Sequence, residues 1–192
     1  MSIHLKRVTR LALVGAGGFG TSGLVIGLAI EAAGRVDWKN STDIWESMPI
    51  FLLPLFMLLA GAIGGAVLGF AIERRMGCIF AVLMGIAYFP GILLVGWILR
   101  WSDFVNYIPF TTLFGLMLGV LLGFTTGSWK KLLLLSVAGT IGGVVSGAVT
   151  YSIVSYEWYI VTLQGAIGGA FLGGALGLIK KEEGNNTGQT VR

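Results

Sequence analysis

Charge is what this chain has least of. Only 11% of its 192 residues are Asp, Glu, Lys or Arg, against about 25% in a soluble domain. A surface so poor in charge is not solvated by water, so a soluble globular domain is excluded. One histidine, His4, and one cysteine, Cys78, leave no material for a cysteine-based zinc site or a disulfide framework within the chain. No Ser–His–Asp set, paired intramembrane carboxylates or metal cluster can be assembled. The reading is therefore of a non-enzyme, with no cofactor and no metal.

What the chain does hold is apolar residues, 55% of the total, and 31 glycines. Glycine is about twice its roughly 7% average usage. It follows no collagen-like G-X-Y period, and the glycines lie inside apolar runs. Lipid is the solvent that suits this composition. The net charge of +4 does not imply nucleic acid, because the basic residues form short clusters between the apolar runs, as membrane orientation requires.

A helix needs about 20 apolar residues to cross a hydrocarbon core of roughly 30 Å. Six segments meet this without an internal Lys, Arg, Asp or Glu: Leu11–Ile30, Pro49–Ile72, Met76–Leu99, Val105–Gly127, Leu132–Val154 and Trp158–Ile179. The fold class expected is an all-α integral membrane bundle of six transmembrane helices. One transmembrane domain over residues 1–181 is followed by a disordered cytoplasmic tail, Glu182–Arg192. A cleaved signal peptide is a rival reading of the first span, after Lys6, Arg7 and Arg10, but the run exceeds an h-region of about 7–15 residues. Ten basic residues (Lys6, Arg7, Arg10, Arg74, Arg75, Lys130, Lys131, Lys180, Lys181, Arg192) fall on one set of ends and three (Arg35, Lys39, Arg100) on the other. The positive-inside rule then places both termini in the cytoplasm and the protein in a cell (inner or plasma) membrane.

Serial glycines mark five of the spans. The second carries Gly61, Gly65 and Gly69, the fourth Gly115, Gly119 and Gly123, the fifth Gly139, Gly143 and Gly147, and the sixth Gly165, Gly169 and Gly173. The first offers Gly15, Gly23 and Gly27, with Phe19 interrupting. Residues four apart share one helix face, so each series cuts a smooth groove that admits a neighbouring backbone. Such glycine-zipper packing drives helix association where burial of apolar surface cannot. Spans two, four and six each end in a basic pair, which suggests three repeated helical hairpins. The match of Gly61, Gly64 and Gly65 to Gly139, Gly142 and Gly143 suggests instead an inverted three-plus-three arrangement.

Gly15, Gly17 and Gly20 spell G-x-G-x-x-G, with Asp37 where a dinucleotide fold places its ribose-binding acid. The context refutes that reading, since a Rossmann half needs strands and helices with polar outer faces. No ionisable side chain lies at mid-depth, where ion-coupled carriers hold theirs. The polar residues that do lie there are mild, and Gln164, Thr140 and Ser146 are the candidate polar lining. Pro90–Gly91 is the expected break in the third span. The exterior loop from Glu31 to Glu46, with its Asn40 sequon, could cap a ligand or lie in the interface on Trp38 and Trp45.

Six spans and a long first exterior loop are similar to the membrane-embedded substrate-binding components of vitamin uptake transporters, a likeness of architecture carried by no motif. The glycine words also resemble those of the mitochondrial inner-membrane translocase family, which has four spans and a different polar signature. Two function classes follow. The first is a structural or accessory subunit of a membrane assembly, with the bilayer, partner helices or further copies of itself as its contacts. The alternative is a small-solute transporter or the substrate-binding component of an uptake system.

Overall fold

The computed structural model describes residues 3–32, 52–99, 107–152 and 158–179. These residues form six α-helices and no strand: α1 (Ile3–Ala32), α2 (Leu52–Ile72), α3 (Arg74–Leu99), α4 (Tyr107–Phe124), α5 (Trp129–Ser152) and α6 (Trp158–Leu178). Four segments are long and apolar enough to cross a membrane, within α1, α2, α5 and α6, and Ile108–Phe124 is a shorter apolar helix. The architecture is that of a multi-pass α-helical membrane protein.

Each helix coincides with one expected span, with differences at the ends. α1 begins eight residues before Leu11, at Ile3, because Lys6, Arg7 and Arg10 are good helix formers that extend the helix beyond its apolar part. α4 stops at Phe124, since Gly127 adopts a left-handed φ of 64° and the amides of Thr126 and Gly127 donate to the carbonyls of Gly123 and Phe124, closing the helix end. Glu73 alone separates α2 from α3. The expected break at Pro90–Gly91 does not occur: α3 runs unbroken from Arg74 to Leu99. Proline is tolerated inside membrane helices because neighbours and local adjustments satisfy the freed carbonyl. The loop expected on the exterior begins with Glu31 and Ala32 still in α1, and its residues 33–46, with Lys180, Lys181 and the tail Glu182–Arg192, lie outside the described residues.

The helices form a ring in chain order. Each packs substantially against two others, and α6 returns to α1 to close the circle. Three contacts are extensive, α1 with α6, α2 with α3, and α4 with α5; α1–α2 and α5–α6 are smaller, and α3–α4 is the slightest. The core inside the ring contains Phe19, Leu68, Met84, Leu122, Leu135 and Leu172, all nearly inaccessible. The outer surface is equally apolar, with Leu13 at 69% and Val82 and Ile86 at 60% exposure. Such a surface would associate in water and is solvated by lipid tails.

Candidate functional site, an intrabundle cavity

The three extensive contacts share one construction. Along α2, a Cβ added at Gly61, Gly65 or Gly69 would run into the carbonyl of Met84, Phe80 or Met76 of α3. Along α4, Gly115, Gly119 and Gly123 meet Gly139, Leu135 and Leu132 of α5, and Gly139, Gly143 and Gly147 return the contact at Gly115, Thr111 and Ile108. Along α6, Gly165, Gly169 and Gly173 meet the carbonyls of Phe19, Gly15 and Leu11. In the α2–α3 and α1–α6 pairs one helix advances by four residues as the other retreats by four, and in α4–α5 the last step retreats by three, so the partners are antiparallel and nearly constant in register. Each of the twelve glycines thus lies against a neighbouring helix too closely for a side chain. Backbones this close allow dispersion and weak Cα–H···O contacts.

α3 meets the groove of α2 without a glycine series of its own. Met76, Phe80, Met84 and Tyr88 recur every four residues, and all but the half-buried Met76 are buried. The four-residue step was legible in the sequence, but the residues are large and do not announce themselves as a packing face. Phe19, the interruption in the α1 series, turns out to be a wall residue. It is 2% exposed, and a Cβ on Gly64 of α2 would lie 2.9 Å from its ring.

Between the pairs the ring leaves a cavity of about 150 Å³. Phe19, Gly23 and Ile26 of α1 line it together with Tyr88 of α3, Phe110, Thr111, Phe114, Gly115 and Leu118 of α4, Gly139, Gly143 and Ser146 of α5, and residues of α6 from Val161 to Leu172. Aromatic rings line it at the slightest of the helix contacts. Tyr88 meets Phe114 edge-on across the α3–α4 contact, with centroids 4.9 Å apart at 84°, and Phe110 stacks on Phe114 at 6.3 Å. Edge-to-face pairs of this kind contribute about 0.5–1.5 kcal/mol beyond their burial.

Among the described lining residues three bring polar side chains besides the Tyr88 phenol: Thr111, Ser146 and Gln164. The Ser146 hydroxyl donates to the main-chain carbonyl of Gln164 at 3.3 Å, tying α5 to α6. Most other hydroxyls in the bundle bond one turn back in their own helix, as those of Ser22 to Gly18 at 2.9 Å and Thr150 to Ser146 at 2.8 Å do. This is the local alternative available to Ser and Thr in a helix. Among the described residues no buried side-chain nitrogen or oxygen is without a hydrogen bond.

Of the three polar residues singled out from sequence, Ser146 and Gln164 reach the cavity and Thr140 does not. Its hydroxyl donates to the Ser136 carbonyl at 2.8 Å, and the residue lines an outer groove between α4 and α5. Thr111, Tyr88 and the two phenylalanines belong to the cavity and were not singled out. Thr111 sits four residues before Gly115, a position that marks it as part of the same helix face. Substituting Ser146→Ala is expected to lower stability by about 1 kcal/mol, the scale of an interhelical hydrogen bond in a membrane. Thr140→Ala, whose hydroxyl bonds within its own helix, should change it by less than about 0.5 kcal/mol. Equilibrium unfolding of the two variants in one detergent compares them.

Among the described residues no Lys, Arg, Asp, Glu, His or Cys lines the cavity. It offers shape, an aromatic wall, and weak donors and acceptors. No protein-family model matches the chain, and neither a curated protein nor a solved structure is similar to it.

Proposed function

We propose that the six helices form one transmembrane bundle, with both termini cytoplasmic, that binds a small uncharged solute in its central cavity. The protein is then a small-solute carrier or the membrane-embedded binding component of an uptake system, and not an enzyme. The observation that carries this reading is the partly open cavity whose described lining holds Thr111, Ser146 and Gln164 and no charged side chain. An ionised cargo would need a partner charge there. The size sets the class of solute. A volume near 150 Å³ suits a molecule on the scale of benzene, whereas sites for drug-sized ligands hold roughly 300–1,000 Å³. A cargo as large as a vitamin does not fit this form of the cavity.

The reading as an accessory subunit loses ground because the glycine faces that would grip partner helices lie against the chain's own helices. What favours it is one exposed strip of α1, where Gly17 has nothing within 4 Å of an added Cβ and Leu13 and Leu28 are exposed beside it. The packing supports a repeat of three glycine-zipper hairpins over an inverted three-plus-three. Stepping two helices along the ring carries α2–α3 onto α4–α5 and then onto α6–α1, so every tight pair maps onto a tight pair. Stepping three helices maps α2–α3 onto the looser α5–α6. In this repeat the unit is a glycine span, a basic loop and the following span, and the third unit is completed by α1 from the start of the chain.

Gly168 provides the test. It lines the cavity, and an added Cβ there has nothing within 4 Å, so Gly168→Leu fills the site without forcing helices apart. Small neutral molecules are screened by thermal shift against wild type and Gly168→Leu. A true ligand at about 100 times its Kd stabilises wild type by about 2.7 kcal/mol and leaves the variant unmoved. If every molecule that shifts wild type shifts Gly168→Leu equally, the cavity is not a binding site.

A further inference from the structure

The outer face of α5 is a second region, independent of the cavity, whose reading rests on the membrane bundle and on the orientation proposed above. Val137 and Ile141 are 47% and 45% exposed and, with Leu133, form a ridge along its first half. On one side of the ridge, between α5 and α6, lies a groove of about 420 Å³, floored at its end by Val8 of α1. On the other, between α5 and α4, lies a groove of about 390 Å³ that begins at Trp129. Both are apolar, and both share Val137 and Ile141.

The length and the charge of these grooves say what covers them. From Leu134 to Ile141 and from Ala170 to Leu178 the walls run roughly 10–12 Å at 1.5 Å per residue. That is most of one leaflet of a hydrocarbon core about 30 Å thick. Where the grooves begin, α5 starts with Lys130 and Lys131. Lys131 precedes Leu134 by three residues and Ala138 by seven, so it lies on the α5 face that walls the first groove. Val8 brings the basic start of α1, with Lys6, Arg7 and Arg10, to the same end. Two apolar channels straddling one ridge beneath a cluster of cations match a molecule with two acyl chains and one anionic head.

We propose that the cytoplasmic half of α5 binds one anionic diacyl phospholipid, with a chain in each groove and its phosphate on Lys130 and Lys131. Basic pockets between helix ends on the cytoplasmic side recognise anionic head groups in this way. The test is native mass spectrometry of the purified full-length protein equilibrated with phosphatidylglycerol or with phosphatidylcholine of the same chains. Wild type is expected to retain one phosphatidylglycerol with roughly thirty-fold preference, the combined effect of two lysines at an anionic surface. The double variant Lys130→Gln, Lys131→Gln should lose most of that preference. Gly174→Leu fills the first groove, since an added Cβ there meets only the Ala12 methyl at 3.8 Å; it should weaken lipid retention although every lysine remains. Equal retention of the two lipids by wild type overturns the proposal without recourse to any variant. Displacement of the lipid by millimolar inorganic phosphate would overturn it too, in favour of a simple anion site.

Discussion

Gly139→Leu is expected to drive α4 and α5 apart and to unfold the protein at a temperature well below that of wild type. A Cβ at residue 139 would lie 2.9 Å from the Gly115 carbonyl carbon and closer still to its oxygen. These are backbone atoms, so no rotamer change makes room. Overpacking against flexible side chains already costs about 1–3 kcal/mol; against a rigid helix the loss should reach about 3 kcal/mol or more. The contact is reciprocal, since Gly115 would meet the Gly139 carbonyl in the same way, so Gly115→Leu should match it. Gly169→Leu strikes the α1–α6 contact that closes the ring. Gly17→Leu is the control, because nothing lies within 4 Å of its added Cβ. Thermal unfolding and size-exclusion profiles in one detergent compare the four. Indistinguishable profiles for Gly139→Leu and Gly17→Leu would show that the helices are not held by this contact.

Phe19→Ala should give the second large effect, with two readouts that move together. The ring is 2% exposed, borders the cavity and fills the angle between α1 and Gly64 of α2. In a soluble protein such a truncation costs about 3–5 kcal/mol, part transfer from water and part cavity. Lipid tails are as apolar as the protein interior, so the transfer part largely vanishes and about 2–3 kcal/mol of lost packing remains. The cavity should grow by the volume of the ring, and the set of neutral molecules that stabilise the protein should shift toward larger ones. Lost stability with an unchanged ligand set would mean that the bundle collapses into the space. Unchanged stability would mean that Phe19 is not part of the wall.

The contrast between Thr140 and Ser146 shows where sequence reasoning reaches its end. Both are small hydroxyl residues at depth on α5, six positions apart, and both were candidates for a polar lining. Six residues turn a helix through about one and two-thirds revolutions, so the two lie on widely separated faces. Which of them looks inward depends on where α4 and α6 sit. Ser146 faces α6 and reaches the Gln164 carbonyl; Thr140 faces the outer groove beside α4. In a water-soluble helix the polar face would have pointed outward and settled the question. Here Leu13, Val82 and Ile141 on the outside are as apolar as Leu118, Leu135 and Leu172 within, so hydropathy does not mark the interior.

Length, charge and glycine spacing by themselves determined six helices among the described residues, five of them to within three residues and α1 at all but its early start, and the faces on which helices approach closely. These are local properties: a run of about 20 apolar residues must satisfy its own backbone in lipid, and glycines four apart must share a face. Only the tertiary structure decided which face meets which. It joined the glycines of α2 to the large residues Met76, Phe80 and Met84, brought α6 back to α1, and left the space that Tyr88, Thr111, Ser146 and Gln164 line. The physical reason is that a glycine groove accepts any backbone close enough to enter it. The partner is chosen by the closure of the whole ring, which no single helix encodes.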